Sequence, residues 1–397
     1  MNLLLIAGLL SGSCSTRQHA QYQLDSAFID QQLQQAVSQY KVMMDKVPDD
    51  RLPKSYRAGD DRLITSGSGS WTSGFYPGTL LLLYEFSGDA SLLAEAKEKL
   101  RLLEKEQHNR GTHDLGFMLY CSFGPALALT GDTSYRSVLL TGAESLISRF
   151  DPEVGCIKSW DHNGDKWKFP VIIDNMMNLE YLSWASKESG QEKYLDIALK
   201  HANTTMKNHF RPNHSSWHVV DYDPETGAVR GKQTHQGAAD ESAWARGQAW
   251  GLYGYTMMYR ETQEKQYLIQ AQHIADFLLR HPNLPEDGIP YWDFDAPGIP
   301  DTYRDASAGA IMASALLELS RLSGGGKSGE YRKAAEKMIR SLSSEQYKAP
   351  IGENGGFLLL HGVGHLPGNS EIDVPLSYAD YYYVEALSRY KKWFLAN

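Results

Sequence analysis

The chain has 397 residues and a formal net charge of −9, with 42% hydrophobic and 22% charged residues. This composition is typical of a globular protein and excludes a largely disordered chain. The acidic balance argues against nucleic acid as a partner, because phosphate binding needs a basic face. The 23 tyrosines and 9 tryptophans offer flat faces with polar edges, which suit sugar rings but also fill large helical cores.

The N-terminal sequence MNLLLIAGLLSGSC is a short apolar run that ends in small residues and Cys14. The run is too short to span a bilayer as a stable helix. We interpret residues 1–14 as a lipoprotein-type signal peptide, so that the protein is exported to the periplasm or anchored to a membrane by a lipid on Cys14. A plain signal peptide and a misplaced start codon remain alternatives, since no Lys or Arg precedes the run and Ser11 departs from the lipoprotein pattern. Residues 15–24 then form a short linker, and residues 25–397 form one folded domain.

A repeat of paired helices follows the linker. Residues 25–47 have helical periodicity, and after Pro48 an apolar helix, a short turn and an amphipathic helix recur along the chain. The turns, most of which contain the glycine that commonly ends a helix, are Ser87-Gly88-Asp89, Thr130-Gly131-Asp132, Ser189-Gly190-Gln191, Thr262-Gln263-Glu264 and Ser323-Gly324-Gly325. The apolar helices are predicted over residues 74–86, 115–129, 175–187, 242–261, 306–322 and 376–393.

The repeat predicts the architecture. Helices that are apolar all round belong inside a protein, and amphipathic helices belong outside. The last apolar helix has no partner after it and the first helix has none before it, so these two can pair and close a ring. The sequence therefore predicts an all-α fold, a single-domain (α/α)6 toroid of six inner and six outer helices. The long connection from Pro212 to Asp240 could form a short hairpin.

Two carboxylates stand at equivalent places in this ring. The inner helices run parallel, so the loops before them gather at one mouth, and Asp114 and Asp174 begin neighbouring inner helices. The alternative role for each is helix capping, which contributes about 1 kcal/mol. Asp174 follows the apolar residues Val171–Ile173, and burial there would raise its pKa so that it could hold a proton for delivery. A helix N-terminus would lower the same pKa, and both outcomes stay open.

A second group of polar and aromatic residues lies between residues 217 and 250. Arg246 and Trp250 are four residues apart and share a helix face, which Trp244 joins only if the helix begins nearby. The planar fork of Arg246 fits a carboxylate, but an ion pair with Asp240 or Asp305 is the alternative. For the remaining candidates the alternative to ligand binding is local packing, and they are His218, Gln236, Trp71 and Trp160. The chain has no zinc-protease, nucleophile-elbow or P-loop pattern, which removes several enzyme classes. Cys121 and Cys156 lack metal-ligand spacing and give no zinc site.

Four stretches in order resemble the unsaturated glucuronyl hydrolases, glycoside hydrolase family 88, and the likeness extends over nearly the whole chain after about residue 25. They are Ser70-Trp71-Thr72-Ser73-Gly74-Phe75-Tyr76-Pro77-Gly78, His113-Asp114-Leu115-Gly116-Phe117, Ile173-Asp174-Asn175-Met176-Met177-Asn178 and Trp244-Ala245-Arg246-Gly247-Gln248-Ala249-Trp250. The resemblance implies that residues 25–397 are a catalytic (α/α)6 domain that requires no metal and no cofactor. It also implies an activity, the removal of a Δ4,5-unsaturated uronic acid from the non-reducing end of glycosaminoglycan fragments left by lyases.

The resemblance implies a role for each candidate residue. Asp174 matches the general acid/base, which protonates C4 of the vinyl ether and then helps water add at C5. Asp114 matches the second carboxylate, which orients the substrate. The positions that match sugar contacts are His113, His218, Gln236, Trp244, Arg246 and Trp250, and those that match stacking residues are Trp71 and Trp160. The loop of residues 370–377 corresponds to the segment that closes over the uronate carboxylate.

Two other functions remain as alternatives. One is an unsaturated rhamnogalacturonyl hydrolase of the related family 105, acting on pectin fragments on the same fold. The Trp-rich mouth and the His113-Asp114 pair favour family 88 over it. The other is a carbohydrate-binding lipoprotein without activity.

Overall fold

The computed structural model describes residues 24–395, so the predicted signal peptide and residues 15–23 lie outside the described residues. Within the described range the chain is mainly helical, with twelve α-helices that form two concentric layers. None of these helices is long and apolar enough to cross a membrane.

The inner layer contains the apolar helices. The most buried of them, which spans Ala306–Leu322, has small and aliphatic residues on every face and is buried along almost its whole length, as expected for a helix inside a ring. The inner helices are α2 (Phe75–Ser87), α4 (Cys121–Thr130), α6 (Leu179–Ser189), α8 (Ala245–Thr262), α10 (Ala306–Leu322) and α12 (Ser377–Tyr390).

The outer layer contains the amphipathic helices. The helix Lys193–Asn208 shows the pattern, because its buried residues Tyr194, Ala198, His201, Ala202 and Thr205 recur every three or four positions. The outer helices are α1 (Ser26–Met44), α3 (Ala90–Leu103), α5 (Thr133–Ile147), α7 (Lys193–Asn208), α9 (Lys265–Arg280) and α11 (Gly325–Leu342).

The first and last helices close the ring. In α1, the Tyr40 hydroxyl donates to Asp380 of α12 at 3.2 Å, and its ring stacks on Tyr76 of α2 with centroids 6.0 Å apart. Four of the predicted turns have a left-handed glycine, at Gly88, Gly131, Gly190 and Gly325, with φ between 62° and 70°. The predicted (α/α)6 toroid is therefore confirmed.

Three inner helices begin differently from the prediction. The predicted helix 115–129 opens as a π-helix at Gly116–Tyr120, and the predicted helix 175–187 opens as a 3-10 turn at Ile173–Asn178. The predicted helix 242–261 begins only at Ala245, because the Ser242 hydroxyl donates to Asp293 at 2.6 Å instead of capping the helix. All three departures lie at the mouth of the ring.

Short strands surround that mouth. A hairpin of β1 (Leu52–Arg57) and β2 (Arg62–Ser66) lies on one side, and β8 (Gly362–His365) pairs with β9 (Ser370–Val374) beside it. The stretch predicted as a hairpin forms β6 (Val219–Tyr222) and β7 (Val229–Gln233), which β5 (Phe169–Ile172) extends to three antiparallel strands. A two-residue pair, β3 (Phe150–Asp151) and β4 (Cys156–Ile157), completes the set.

Candidate active site

Asp174 is positioned by the edge where β5 meets β6. All four residues of β5 are buried, and antiparallel pairing sets Ile172 opposite Val219. The chain therefore leaves β5 beside the residue that precedes β6, and the Ile173 amide donates to the His218 carbonyl at 3.0 Å. This register brings Asp174 and His218 together, although 44 positions separate them in the sequence.

The Asp174 carboxyl is buried, with 12% of its side chain exposed. Burial raises its pKa to about 7, and the negative charge of Asp114 acts in the same direction. The positive charge of Arg246, the backbone amide of Asp174 and the indole of Trp250 lower the pKa but do not outweigh burial. Of the two opposing effects expected from the sequence, desolvation is thus the larger.

His218 supplies an uncharged imidazole beside that carboxyl. Its Nδ1 accepts hydrogen bonds from the backbone amides of His235 and Gln236, both at 3.1 Å. Burial, followed by the charges of His235 and Arg246, lowers its pKa well below the ordinary value. The ring is therefore neutral with its proton on Nε2, and that nitrogen lies 3.7 Å from Asp174 Oδ2.

Asp114 is the more exposed of the two carboxylates, with 21% of its side chain open to solvent. Its Oδ2 accepts from the Thr112 hydroxyl at 2.6 Å, and its Oδ1 lies 3.3 Å from His113 Nε2. The His113 ring is buried, and burial lowers its pKa. Neither Asp114 nor Asp174 caps a helix among the described residues, so the capping alternative is not what the structure shows.

Asn175 and Asn178 fix the turn that carries Asp174. The Asn175 amide donates to the Ile157 carbonyl at 2.7 Å, and Asn178 donates to Asn175 at 2.8 Å. Asn178 also accepts from the Gly116 amide at 2.8 Å. A Cβ at Gly116 would come within 2.6 Å of Asn178 Oδ1, so this contact needs glycine. Both asparagines lie in the stretch that carries the resemblance, but their bracing role was not predicted.

Trp244, Arg246 and Trp250 come together as predicted, because α8 begins right after Trp244. The Trp244 indole folds back over the helix, where its ring lies 4.5 Å from the Arg246 guanidinium and a Cβ at Gly247 would come within 2.8 Å of it. Trp244 also packs against the His218 ring, with centroids 4.5 Å apart. The Trp250 indole nitrogen is buried and makes no hydrogen bond within the described residues.

Arg246 is held by the protein itself. It pairs with Asp305 at 3.3 Å, and its two terminal nitrogens donate to the carbonyls of Val363 at 2.5 Å and Gly364 at 2.6 Å. Of the two ion-pair partners that the sequence allowed for Arg246, the structure thus shows Asp305 and not Asp240. Gln236 donates from its side chain to the same Gly364 carbonyl at 3.0 Å. Arg246 and Gln236 therefore hold β8 at the mouth by hydrogen bonds to its backbone. That they also contact a sugar stays a prediction.

The two predicted stacking tryptophans lie on different sides of the mouth. Trp71 is half-buried and packs at 4.7 Å from the Tyr378 ring and at 5.5 Å from Phe117, which in turn lies 5.0 Å from Trp250. Trp160 stacks on His162 at 5.0 Å and lies 5.5 Å from His235. The Phe117 ring therefore lies between Trp71 and Trp250, and the His235 ring lies between Trp160 and His218.

The sequence did not single out three further residues that face this group, namely His235, Glu371 and Tyr378. Tyr378 lies directly after the last of the loops that gather at the mouth, so extending each loop by one residue would have found it. His235 adjoins a residue that was selected, Gln236. Glu371 lies in the loop of residues 370–377 that the resemblance placed over the uronate carboxylate, but no single residue of that loop was selected, because its irregular backbone follows no periodicity.

This arrangement can donate a proton and take one back. Asp174 has a pKa near neutrality, His218 presents a neutral N–H, and the second carboxylate Asp114 lies close enough to raise the pKa of Asp174. Aromatic rings flank both sides of the group, as in sites that bind sugars. The geometry suits general acid/base catalysis on a carbohydrate.

Comparison with known proteins assigns the chain to a family. Residues 37–396 match Glycosyl Hydrolase Family 88. The chain belongs to this family. It is 47% identical over 339 residues to an unsaturated glucuronyl hydrolase of Formosa agariphila, which covers 85% of this chain and 84% of the relative. The family assignment drawn from the four stretches is therefore confirmed.

Solved structures of the family have the same fold. A crystal structure of an unsaturated glucuronyl hydrolase specific for heparin superimposes with a TM-score of 0.89 at 50% identity, covering 92% of this chain and 97% of that one. A variant of the Streptococcus agalactiae enzyme, complexed with dGlcA-GalNAc6S, gives a TM-score of 0.81 at 28% identity, covering 98% of this chain and 99% of that one.

Proposed function

We propose that this chain removes a Δ4,5-unsaturated uronic acid from the non-reducing end of lyase-generated glycosaminoglycan oligosaccharides, by hydration of the C4=C5 enol ether. The observation that carries the proposal is Asp174, a buried carboxyl with a pKa of about 7 in a family of unsaturated glucuronyl hydrolases. At neutral pH a large share of such a carboxyl is protonated, so it can deliver a proton to carbon.

The reaction divides into two proton movements at one residue. The Asp174 carboxyl gives its proton to C4, and positive charge develops at C5 and the ring oxygen. The resulting carboxylate then takes a proton from the water that adds at C5. The hemiketal so formed opens and releases the next sugar. Ordinary glycosidases separate an acid from a nucleophile or base, whereas one buried Asp is sufficient for hydration of an enol ether.

The neighbours of Asp174 set its charge and orientation. Asp114 keeps negative charge beside the developing cation, and the same charge favours the protonated form of Asp174 before reaction. The neutral Nε2–H of His218 can donate to substrate or water but does not compete as an acid, because burial keeps the ring uncharged. Trp71, which packs beside Tyr378, and Trp160, which packs beside His162, are the rings we propose to contact the sugars.

The test is to incubate the purified protein with unsaturated glycosaminoglycan disaccharides and to follow the decrease in absorbance of their C4=C5 double bond. We expect turnover by the wild type and a loss on the order of 10²-fold or more in Asp174→Asn. Unsaturated rhamnogalacturonan disaccharides are the comparison substrate, and preferential turnover of these would support family 105 chemistry instead. Binding without any turnover would support the carbohydrate-binding alternative. The 47% identity to an unsaturated glucuronyl hydrolase, over 84% of that relative, makes this alternative less favourable.

We also propose that the protein is exported and anchored by a lipid on Cys14. The support is the apolar run that ends in small residues before Cys14. Metabolic labelling with a radioactive fatty acid should mark the full-length protein and not the Cys14→Ser variant. Equal labelling of both proteins, or of neither, would contradict the anchor, and fractionation would then show whether export alone remains.

A further inference from the structure

An open pocket with a volume of about 460 Å³, the outer pocket, lies beside strands β3 and β5. Three cations line it, namely Arg110, Arg149 and Lys158. The acidic residues that line it are Asp151 and Asp161. The proposed mechanism uses none of these five residues, so the pocket is a feature that the proposed activity does not explain.

Arg149 is an almost fully buried cation of the outer pocket, with 6% of its side chain exposed. Its Nε donates to the Lys158 carbonyl at 2.9 Å. Its Nη1 donates to the Arg110 carbonyl and, at 2.8 Å, to Asp161. Its Nη2 is buried without a hydrogen-bond partner among the described residues. An unpaired donor on a buried charged group costs free energy, so the guanidinium lacks an acceptor that a bound anion would supply.

The carboxylates of the outer pocket do not balance its cations. Asp161 is shared, because its Oδ1 lies 2.9 Å from Lys158 Nζ while its Oδ2 binds Arg149. Asp151 accepts from two backbone amides that follow it, at 2.9 and 3.0 Å. The exposed Arg110 guanidinium forms no ion pair among the described residues. The pocket is therefore locally positive, in a chain whose net charge is −9.

The outer pocket shares a wall with the mouth of the ring. One segment supplies Arg110 to the pocket and, three residues later, His113 to the active site. Another segment supplies Lys158 and, two residues later, Trp160. The two segments are joined by a hydrogen bond from the His113 amide to the Ser159 carbonyl at 3.1 Å. Two residues of extended chain span about 7 Å, so the pocket begins about that far from the predicted stacking residue.

We propose that the outer pocket is a binding site for an oxyanion, held by Arg110, Arg149 and Lys158. A guanidinium presents a planar fork that matches the oxygens of a carboxylate or a phosphate, and a cleft lined by cations concentrates anions. Two sources carry this chemistry. One is the uronate of a second repeat, in an oligosaccharide longer than a disaccharide, and the other is free inorganic phosphate. The sugar source rests on the proposed function, whereas the site itself does not.

The first experiment measures the dissociation constant of inorganic phosphate by isothermal titration calorimetry at low ionic strength. Lys158→Met should weaken binding about 5-fold, because a unit charge about 4 Å away has an effect of this order in a water-like medium. Asp161→Asn should strengthen binding by a similar factor, because it removes a like charge and keeps an oxygen for Arg149. Lys168→Met is the matched control and should change nothing, since it removes an exposed lysine that pairs with Asp223 and does not line the pocket.

The second experiment identifies the source of the oxyanion. It compares kcat/KM for the unsaturated disaccharide and the unsaturated tetrasaccharide of hyaluronan, because only the tetrasaccharide carries a second uronate. If a sugar supplies the oxyanion, Lys158→Met should lower the tetrasaccharide-to-disaccharide ratio about 5-fold and Asp161→Asn should raise it. An unchanged ratio together with altered phosphate affinity identifies free phosphate as the ligand. Since both rates come from one preparation, the ratio does not depend on how much of a variant is folded.

The outcomes separate the oxyanion site from the proposed function. The site is overturned if Lys158→Met and Asp161→Asn change neither the phosphate affinity nor the substrate ratio by more than Lys168→Met does. Equal shifts in Lys158→Met and Lys168→Met overturn it as well, because they report the net charge of the chain and not a pocket. Failure of the wild type to consume the disaccharide contradicts the proposed function instead, and the phosphate titrations still decide whether the site exists.

Discussion

Asp174 and Asp380 are two buried carboxyls of one ring whose pKa values are both raised to about 7, in each case mainly by burial. Their hydrogen bonds differ. Asp380 accepts from the amides of Leu358 at 2.9 Å and Leu359 at 3.0 Å and from the Tyr40 hydroxyl at 3.2 Å. Asp174 has a buried oxygen without a partner among the described residues. A raised pKa therefore marks burial, and the free oxygen beside His218 is what distinguishes the reactive carboxyl.

The largest expected effect is on activity, and it should separate the two residues. Asp174→Asn should reduce kcat/KM by a factor on the order of 10² or more, because the amide cannot deliver a proton. Asp380→Asn should leave kcat per folded molecule within a few-fold of the wild type, because the Asp380 carboxyl is hydrogen-bonded within the protein and takes no part in the proposed reaction. Steady-state kinetics normalised to the folded fraction measures both. Equal losses in the two variants would mean that burial in this ring, and not the free oxygen, identifies the functional carboxyl.

The second effect is the pH dependence. The acid form of Asp174 is the reactive one, and a pKa of about 7 means that this form disappears as the pH rises through 7. We expect kcat/KM to fall about 10-fold per pH unit above that point. Asp380→Asn should show the same fall, although the residue it removes has a pKa of about 7 as well. If kcat/KM of Asp380→Asn did not fall above pH 7, the titrating carboxyl would be Asp380 and not Asp174, contrary to the mechanism.

The third effect is on stability, and it should follow Asp380. In Asp380→Asn one oxygen becomes an NH2 group, which faces a backbone amide that has lost its acceptor. An unsatisfied buried donor costs about 1–3 kcal/mol. We expect a decrease of this size in the free energy of unfolding at pH 5, where the raised pKa leaves Asp380 uncharged in the folded wild type, measured by denaturant titration. An unchanged free energy would show that the segment of Leu358 and Leu359 is held to α12 by packing alone.

The sequence was sufficient for the ring because the ring depends on local patterns. Apolar and amphipathic helices alternate at regular intervals, and left-handed residues such as Gly88 end the inner helices. It was also sufficient to place Asp174 in a buried setting, because Val171–Ile173 form an apolar strand directly before it. The spacing of Arg246 and Trp250 fixed their common face once the start of α8 was known.

The rest of the site depends on contacts that no local pattern reports. Ser242 resembles a helix cap, but its hydroxyl goes to Asp293, 51 positions away. Arg246 finds its acceptors in the backbone of β8, 117 and 118 positions away. Glu371 reaches the mouth through a left-handed backbone that a non-glycine residue rarely adopts. Distant segments that meet by packing determine these positions, and propensity says nothing about them.

The smallest effect is a gain in stability from the change that abolishes activity. The folded-state pKa of Asp174 is about 7 and the unfolded value is near 4. The folded state therefore holds the proton more tightly, so that stability declines as the pH rises from about 4 to 7 and the loss is complete above 7. The full cost of the charge over that window is about 4 kcal/mol. Asp174→Asn removes this cost but still buries a polar group, so we expect a net gain of about 1–2 kcal/mol at pH 8. At pH 5 only about 1.4 kcal/mol of the cost is present, so we expect a net loss of about 1 kcal/mol there. Denaturant titrations at the two pH values measure the difference, to which Asp380 contributes equally in both proteins. A change in stability that is the same at pH 5 and pH 8 would contradict the raised pKa of Asp174, and with it the protonated acid on which the mechanism depends.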